Sequence, residues 1–199
     1  MENRTKLEIK RQLFHIFFGI LILVLINFDV LTPLILLIFI IIGIFISLIS
    51  KKFKIPLIYW FLQNFEREEN IRKFPGRGVI YYLIGSLIVV GFFRKDVALA
   101  SIAILALGDS ISHLVGRFKG AIKHPFTDKK FLEGALAGMI AAFVGSVLFV
   151  PPIEAAIASI FAMMAEGLDI GIGLRKVDDN IIVPVVAAIS VWLFRLFFI

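Results

Sequence analysis

The chain has 199 residues, 60% of them hydrophobic, with a mean hydropathy of +0.98 and a formal net charge of +6. Soluble domains carry only about 45–50% apolar residues, so the composition excludes an ordinary soluble domain and indicates an integral membrane protein. The chain has no cysteine, which excludes disulfides and cysteine-based zinc or redox chemistry. Its three histidines lack the HExxH spacing of a zinc protease.

A membrane-crossing helix needs about 20 mostly apolar residues. Seven stretches qualify, at about 12–28, 33–50, 78–93, 97–116, 131–150, 153–170 and 181–198. Arg4, Lys6, Lys10 and Arg11 ahead of the first stretch give it the look of a signal peptide, but no small-residue cleavage site follows, so it reads as a retained first helix. Turn-forming residues separate the stretches at 27–33, at 94–96 and at Pro151 and Pro152. Between the second and third stretches, residues 55–65 form a run too short to span. Its Tyr59 and Trp60 suit the headgroup level, so it reads as an interfacial helix; the alternative is a lip over which a lipid substrate enters, with Tyr59, Trp60 and Phe61 flanking the tail. No internal repeat or low-complexity segment is visible. The expected architecture is an all-α integral membrane protein of about seven transmembrane helices, with residues 1–199 forming one transmembrane catalytic domain.

Basic residues collect on the cytoplasmic side of membranes. With the N-terminus inside, every lysine and arginine of the 21 falls in an inner segment except Arg94, Lys95 and Arg195. The expected orientation is therefore N-terminus cytoplasmic and C-terminus outside.

Four polar clusters fall at the inner helix ends. Gly108-Asp109-Ser110 closes an apolar run and leads to His113, Gly116, Arg117, Lys119 and Gly120. Asp109 and His113 share one helix face at i,i+4 spacing. Asp128-Lys129-Lys130 with Glu133 and Gly134 opens the fifth stretch. Glu166 and Asp169 end the sixth, and Asp178-Asp179-Asn180 opens the seventh, followed by Pro184. Charged groups at membrane depth cost several kcal/mol, so they read as a functional site by default. Taken singly, each has a plainer reading: Asp109 as a helix N-cap, Glu133 and Asp179 as first-turn acids facing the helix dipole, the basic 117–130 loop as a membrane anchor, and His15 as a structural hydrogen-bonder. Together they suit phosphoryl or nucleotidyl transfer. Asp109, Glu133, Glu166 and Asp179 offer oxygen ligands of the kind Mg²⁺ takes. Arg117, Lys119, Lys123 and Lys130 offer cations for phosphates, and Gly116 and Gly120 allow close backbone approach. Neither a GxxxxGK[ST] loop nor a kinase-type GxGxxG loop is present.

These residues resemble the CTP-dependent polyprenol kinases: dolichol kinase, phytol kinase and the CTP-dependent diacylglycerol kinase. Gly108-Asp109 with Gly116 and Gly120 follows that family's GDxxAxxxGxxxG, with Ser112 at the alanine. Lys130 to Gly138 follows K[ST]xEGxxAG, with Phe131 at the hydroxyl position. Asp179-Asn180 and Pro184 follow DNxxxP, and Arg11 and His15 follow RKxxH, with Gln12 at the lysine. The resemblance implies a CTP- and Mg²⁺-dependent kinase acting on a lipid alcohol at the cytoplasmic face of the cell membrane. Asp109 and Asp179 would hold the metal. The nucleotide phosphates would be held by Arg117, Lys119, Lys123 and Lys130, with Gly108, Gly116, Gly120, Gly134 and Asn180 around them. Asp109, Lys130, Glu133, Glu166 and His15 are the catalytic candidates, with Glu133 and Glu166 left open as the general base. The expected partners are CTP, a membrane lipid alcohol of dolichol or polyprenol type and the bilayer, with no nucleic acid. A homodimer is allowed but not required. Three rivals stand: a CTP-dependent diacylglycerol kinase, a cytidylyltransferase forming a CDP-lipid, and a small transporter whose acids line an ion path.

The orientation is testable because the chain lacks cysteine. A cysteine at position 119 should react with an impermeant maleimide only from the cytoplasmic side, and one at 152 only from outside. Reaction of both from one side would overturn the topology.

Overall fold

A computed structural model describes residues 2–125, 127–168, 171–172 and 175–198. Helices stand at all seven expected stretches. In chain order they are α1 (Glu2–Asn27), α2 (Pro33–Ser50), the short α3 (Pro56–Phe65) and α4 (Glu68–Lys73), and α5 (Arg77–Phe92). Next come α6 (Lys95–Ala103) and α7 (Ser110–Lys119), joined without a break by a π-helical segment, Ile104–Asp109. The last three are α8 (Leu132–Ser146), α9 (Pro152–Gly167) and α10 (Asp179–Phe198). Thr5–Asn27, Pro33–Ser50, Lys95–Lys119 and Asp179–Phe198 are each long and apolar enough to cross a membrane. The other three have 15 or 16 residues. At about 1.5 Å per residue they extend about 24 Å, short of the roughly 30 Å hydrocarbon core.

The α6–α7 helix is the axis of the bundle. Residues 97–106 alternate Ala, Val, Leu, Ile and Ser with no polar face, and all of them are buried. A helix that is hydrophobic all round belongs inside a bundle, and this one packs against α1, α5, α8, α9 and α10. The outer helices turn large apolar side chains outward, among them Phe17, Phe45, Ile140, Leu148, Trp192 and Phe197. Such a surface is unstable in water and stable in lipid, as expected of a membrane protein.

Small residues bring α7 and α8 close. A Cβ added at Gly134 would lie 2.5 Å from the Ser112 carbonyl, and one at Gly138 would lie 2.7 Å from the Gly108 carbonyl. One at Gly108 would meet the Met163 sulfur at 2.8 Å. Packing through small residues is how helices associate where lipid removes the hydrophobic drive. A comparable approach occurs between α5 and α10. Pro184 has no N–H to give the Asn180 carbonyl four residues earlier, and that carbonyl lies against Gly85.

Two short antiparallel hairpins sit at the site end. Lys123–His124 (β1) pairs with Thr127–Phe131 (β2), so the basic loop is in part a ribbon. Gly171–Ile172 (β3) pairs with Arg175–Lys176 (β4). The expected interfacial helix over 55–65 is α3.

The three basic residues set apart by the charge count gather at the opposite end. Lys95 donates to Asp29 at 2.6 Å and to the Asn27 carbonyl at 2.9 Å. Arg195 grips Glu154 with two hydrogen bonds, 2.9 and 2.7 Å, and reaches Asp96 at 2.8 Å. Glu154 is buried, so this clamp of α6, α9 and α10 depends on Arg195. Removing one partner of a buried ion pair leaves an uncompensated charge and costs about 3–5 kcal/mol. Arg195→Met should lower the melting temperature in detergent, and the further substitution Glu154→Leu should recover most of the loss.

Candidate functional site

The π-helical segment ends on Asp109, which lies within continuous right-handed helix and makes no side-chain cap. This rules out the N-cap reading. Asp109 is 5% exposed, with one carboxylate oxygen 3.4 Å from His113 Nε2 and the other 3.8 Å from His15 Nε2. Segments of π-helix are frequent at functional sites because the wider turn re-aims the residues around it.

Three other elements meet Asp109. The first is α9, whose Glu166 is 1% exposed and accepts a hydrogen bond from Ser112 Oγ at 3.1 Å. His113 Nε2 lies 4.0 Å from the same carboxylate. The second is β2, which carries Lys130 under the bundle. Its Nζ donates to Glu166 Oε1 at 2.6 Å, to the Glu166 carbonyl at 2.5 Å and to Asp179 Oδ2 at 3.2 Å. The third is the start of α10, which brings Asp179. Burial opposes the Lys130 charge, but the Glu166, Asp179 and Asp109 carboxylates outweigh it and raise its pKa above the ordinary lysine value. Lys130 is therefore a fixed cation among acids.

Asp109, His113, Glu166 and Asp179 each offer a ligand atom, all within 4.8 Å of one another. Asp109 Oδ1 is buried with no hydrogen-bond donor among the described residues. A buried oxygen left so is costly, and a hard cation with oxygen ligands fits the place.

The cluster opens into a cavity of about 600 Å³ between α1, α3, α4, α5, α7, β2 and α10. Arginines from four elements line it: Arg11 (α1), Arg67 (before α4), Arg77 (α5) and Arg117 (α7). Glu8 holds the first two, accepting from Arg11 and, at 3.3 Å, from Arg67 Nη2. Gln12 Nε2 donates to the same carboxylate at 3.0 Å. Arg77 donates to Asp178 Oδ2 at 3.1 Å, and burial raises the pKa of Asp178 despite this partner. Arg117 donates to Thr5 at 3.0 Å. The site thus has acids at one end and guanidinium groups around the rim, the charge pattern that a polyphosphate with a divalent cation would complement.

The candidates chosen from sequence divide into three sets. Asp109, His15, Lys130, Glu166 and Asp179 come together, and Gly116, Arg117 and Asn180 line the cavity beside them. Gly108 and Gly134 lie in the helix–helix contacts described above. Gly120 leaves room for the Phe131 ring, whose Cδ2 a Cβ there would meet at 2.6 Å. Glu133, Lys119 and Lys123 stand outside the cavity wall. Glu133 accepts the backbone N–H groups of Ala121 and Ile122 at 3.2 and 3.1 Å and so pins the turn after α7. Lys119 is exposed, and the Lys123 ammonium sits over the Phe131 ring, 4.4 Å from its centre. Asp169 lies outside the described residues. Sequence reasoning left Arg77, Arg67, Glu8 and Tyr82 out of the site. The signal for the first was its place just before a spanning stretch; the pairings themselves join residues 101 and 59 positions apart.

Fold and site together define a helical membrane protein with a charged, arginine-rimmed cavity near one end. Its relatives carry that description further. An uncharacterised protein of Methanocaldococcus jannaschii is 28% identical over 185 residues, 91% of each chain. CTP-dependent diacylglycerol kinase 1 of Saccharomyces cerevisiae is 27% identical over 212 aligned positions, covering 93% of this chain and 72% of that one. The probable phytol kinase of Triticum aestivum is 36% identical over 85 residues, 42% of this chain and 27% of that one. The chain is a homologue of the CTP-dependent lipid kinases, as its motifs indicated, and spans between 27% and 72% of the length of these two kinase relatives. No protein-family model matches it, and no solved structure does.

Since Glu133 tethers a turn while Glu166 faces the cavity's acid cluster, the two should respond differently to neutralisation. Glu166→Gln should leave the protein folded and lower turnover by about 100-fold or more, the scale of a lost proton acceptor. Glu133→Gln should change thermal stability more than turnover.

Proposed function

We propose that the protein is a CTP- and Mg²⁺-dependent kinase that phosphorylates the hydroxyl of a membrane isoprenoid alcohol, of dolichol or polyprenol type, at the cytoplasmic face of the cell membrane. In this reading the chain is one domain of seven spans, with the N-terminus in the cytoplasm and the C-terminus outside. The observation that carries it is the convergence of Asp109, His113, Glu166 and Asp179 within 4.8 Å, beside a cavity rimmed by arginines. The relatives named as CTP-dependent diacylglycerol kinase and phytol kinase support the donor and the reaction class.

Asp109 and Asp179 would hold Mg²⁺, with His113 and Glu166 at hand. When bound, the ion supplies positive charge to the phosphate oxygens as the transferring group separates. The rest is done by side chains of the chain. Lys130 and Arg117 meet the phosphates inside the cavity, and Arg11, Arg67 and Arg77 fix the remainder of the triphosphate. The alcohol oxygen forms a bond to the γ-phosphorus as the bond to the β–γ bridging oxygen breaks. CDP leaves, and the alcohol proton is taken up by the acid cluster to which Asp109 and Glu166 belong. Holding donor and alcohol in line, with charge neutralised, is most of what such transfers require.

Labelled CTP offered with a panel of polyprenols, phytol, diacylglycerol and phosphatidate tests the reading. Transfer of the γ-label to an alcohol with release of CDP is expected. Pyrophosphate release would establish the cytidylyltransferase instead, and no CTP turnover with any lipid would overturn both. Asp109→Asn keeps the shape and removes the charge. It should express normally and lose at least about 100-fold in activity, the scale of one lost charge-stabilising group. Chelation by EDTA should abolish the activity and added Mg²⁺ restore it.

A further inference from the structure

The cavity has a second character that the charge pattern does not use. Opposite its acids, one wall is a file of aromatic rings from α1 and α3. Phe61 and Phe65, one helical turn apart, meet with tilted rings at 4.9 Å between ring centres, and both pack on Phe14, at 4.9 and 5.2 Å. Phe14 meets Phe18 at 5.6 Å, and Phe18 meets Tyr82 at 5.5 Å. Tyr82 lies edge-on to His15 at 4.8 Å, and His15 reaches Asp109. All of these rings border the cavity. The file therefore runs without interruption from the membrane-facing helix α3 to the acid cluster.

Where the file turns polar, two groups lack partners. Tyr82 is 1% exposed, and neither its hydroxyl nor His15 Nε2 has a hydrogen-bond partner among the described residues. A buried polar atom left unpaired is costly, and a ligand atom at this end of the cavity would complete it. That atom is polar and small, and the phenylalanine file that leads to it suits an apolar segment behind it. On the outer side of α3, Leu57 and Trp60 are 77% and 57% exposed. Trp60, outside the cavity lining, thus faces away from the cavity.

We propose that the phenylalanine file is the hydrocarbon subsite of the alcohol substrate: its chain lies along Phe61, Phe65, Phe14 and Phe18, and its hydroxyl is received by Tyr82 and His15 beside Asp109. This deepens the kinase reading above and rests on it for the identity of the ligand. Tyr82 and His15 act here as hydrogen-bonding groups that select a chain ending in a hydroxyl. The same wall explains how a membrane-dissolved alcohol meets a charged site: α1 and α3 are tied to each other at their polar edge by Lys10 and Asn64, 3.0 Å apart, and at the file by Phe14 against Phe61 and Phe65, so a chain can replace ring contacts with like contacts.

A long-chain alcohol bearing a diazirine in its tail, incorporated in nanodiscs with the wild-type protein, tests the subsite without relying on turnover. Photolysis should label residues 14–18 and 61–65, and unlabelled alcohol should compete this away at least about tenfold better than the alkane of equal length. Tyr82→Phe should abolish that preference while leaving labelling of the phenylalanines. Phe61→Ala should raise the KM for long alcohols by about tenfold or more, with the KM for CTP within twofold. Labelling confined to the outer surface of α2 or α10, or an undiminished alcohol preference in Tyr82→Phe, would overturn the proposal. Specific labelling of the file in a protein that turns over no CTP would uphold the subsite and refute the kinase reading, which separates the two failures.

Discussion

Three carboxylates and one ammonium, set inside an otherwise hydrocarbon bundle, govern the rest of the structure. Asp109, Glu166 and Asp179 are carboxyl groups among apolar helices, where an unpaired charge costs several kcal/mol, and Lys130 is the cation that lies among them at 2.6 and 3.2 Å from two of the three. Each comes from a different element, so the elements must meet at one point. The β1–β2 hairpin exists to bring Lys130 inward, and α9 ends where Glu166 can meet it. Pro184 and Gly85 let α10 approach α5 closely enough to present Asp179. Gly108, Gly134 and Gly138 press α7 on α8 so that Ser112 can donate to Glu166. The apolar outer surface carries no comparable constraint, and any residue that lipid accepts can serve there.

Much of this was legible before the structure. Hydropathy gave the seven helices, because each buries or faces lipid with long apolar runs. It misjudged their ends where polar residues continue a helix, as at Glu2–Asn27 and Lys95–Lys119. Asp109 and His113 were legible as a pair because i,i+4 spacing places them together whatever the tertiary fold. Lys130, Glu166 and Asp179 were each ambiguous alone, since a basic loop and first-turn acids have ordinary explanations. Only their shared membrane face spoke for a site.

What stayed hidden depends on distances that periodicity does not encode. Nothing local links Arg77 to Asp178 or Arg67 to Glu8. Tyr82 reads as one more residue of an apolar helix until its hydroxyl is seen without a partner. The glycines teach the opposite lesson. Gly108 and Gly134 looked like openings for phosphate, yet small residues repeated in a membrane helix are also the signature of close helix packing, and that is where these two lie. Glu133, equally placed with Glu166 on motif grounds, faces the other way because the first turn of α8 points it at the amides of Ala121 and Ile122.

The π-helical segment at Ile104–Asp109 gives the central helix a phase change. The half before it is locked by apolar packing on every side, and the half after it carries Ser112, His113, Gly116 and Arg117 to the cavity. A π-turn holds one residue more than an α-turn, so removing one residue here would close the helix into ordinary geometry with both halves facing as they do, whereas removing one from α6 or α7 would swing one half through about 100°. His113 would leave the acid cluster, or the apolar half would leave its socket. The register of the cavity wall is thus stored in the count of residues between two well-packed ends, and within the segment Gly108 and Asp109 are fixed besides by what they touch.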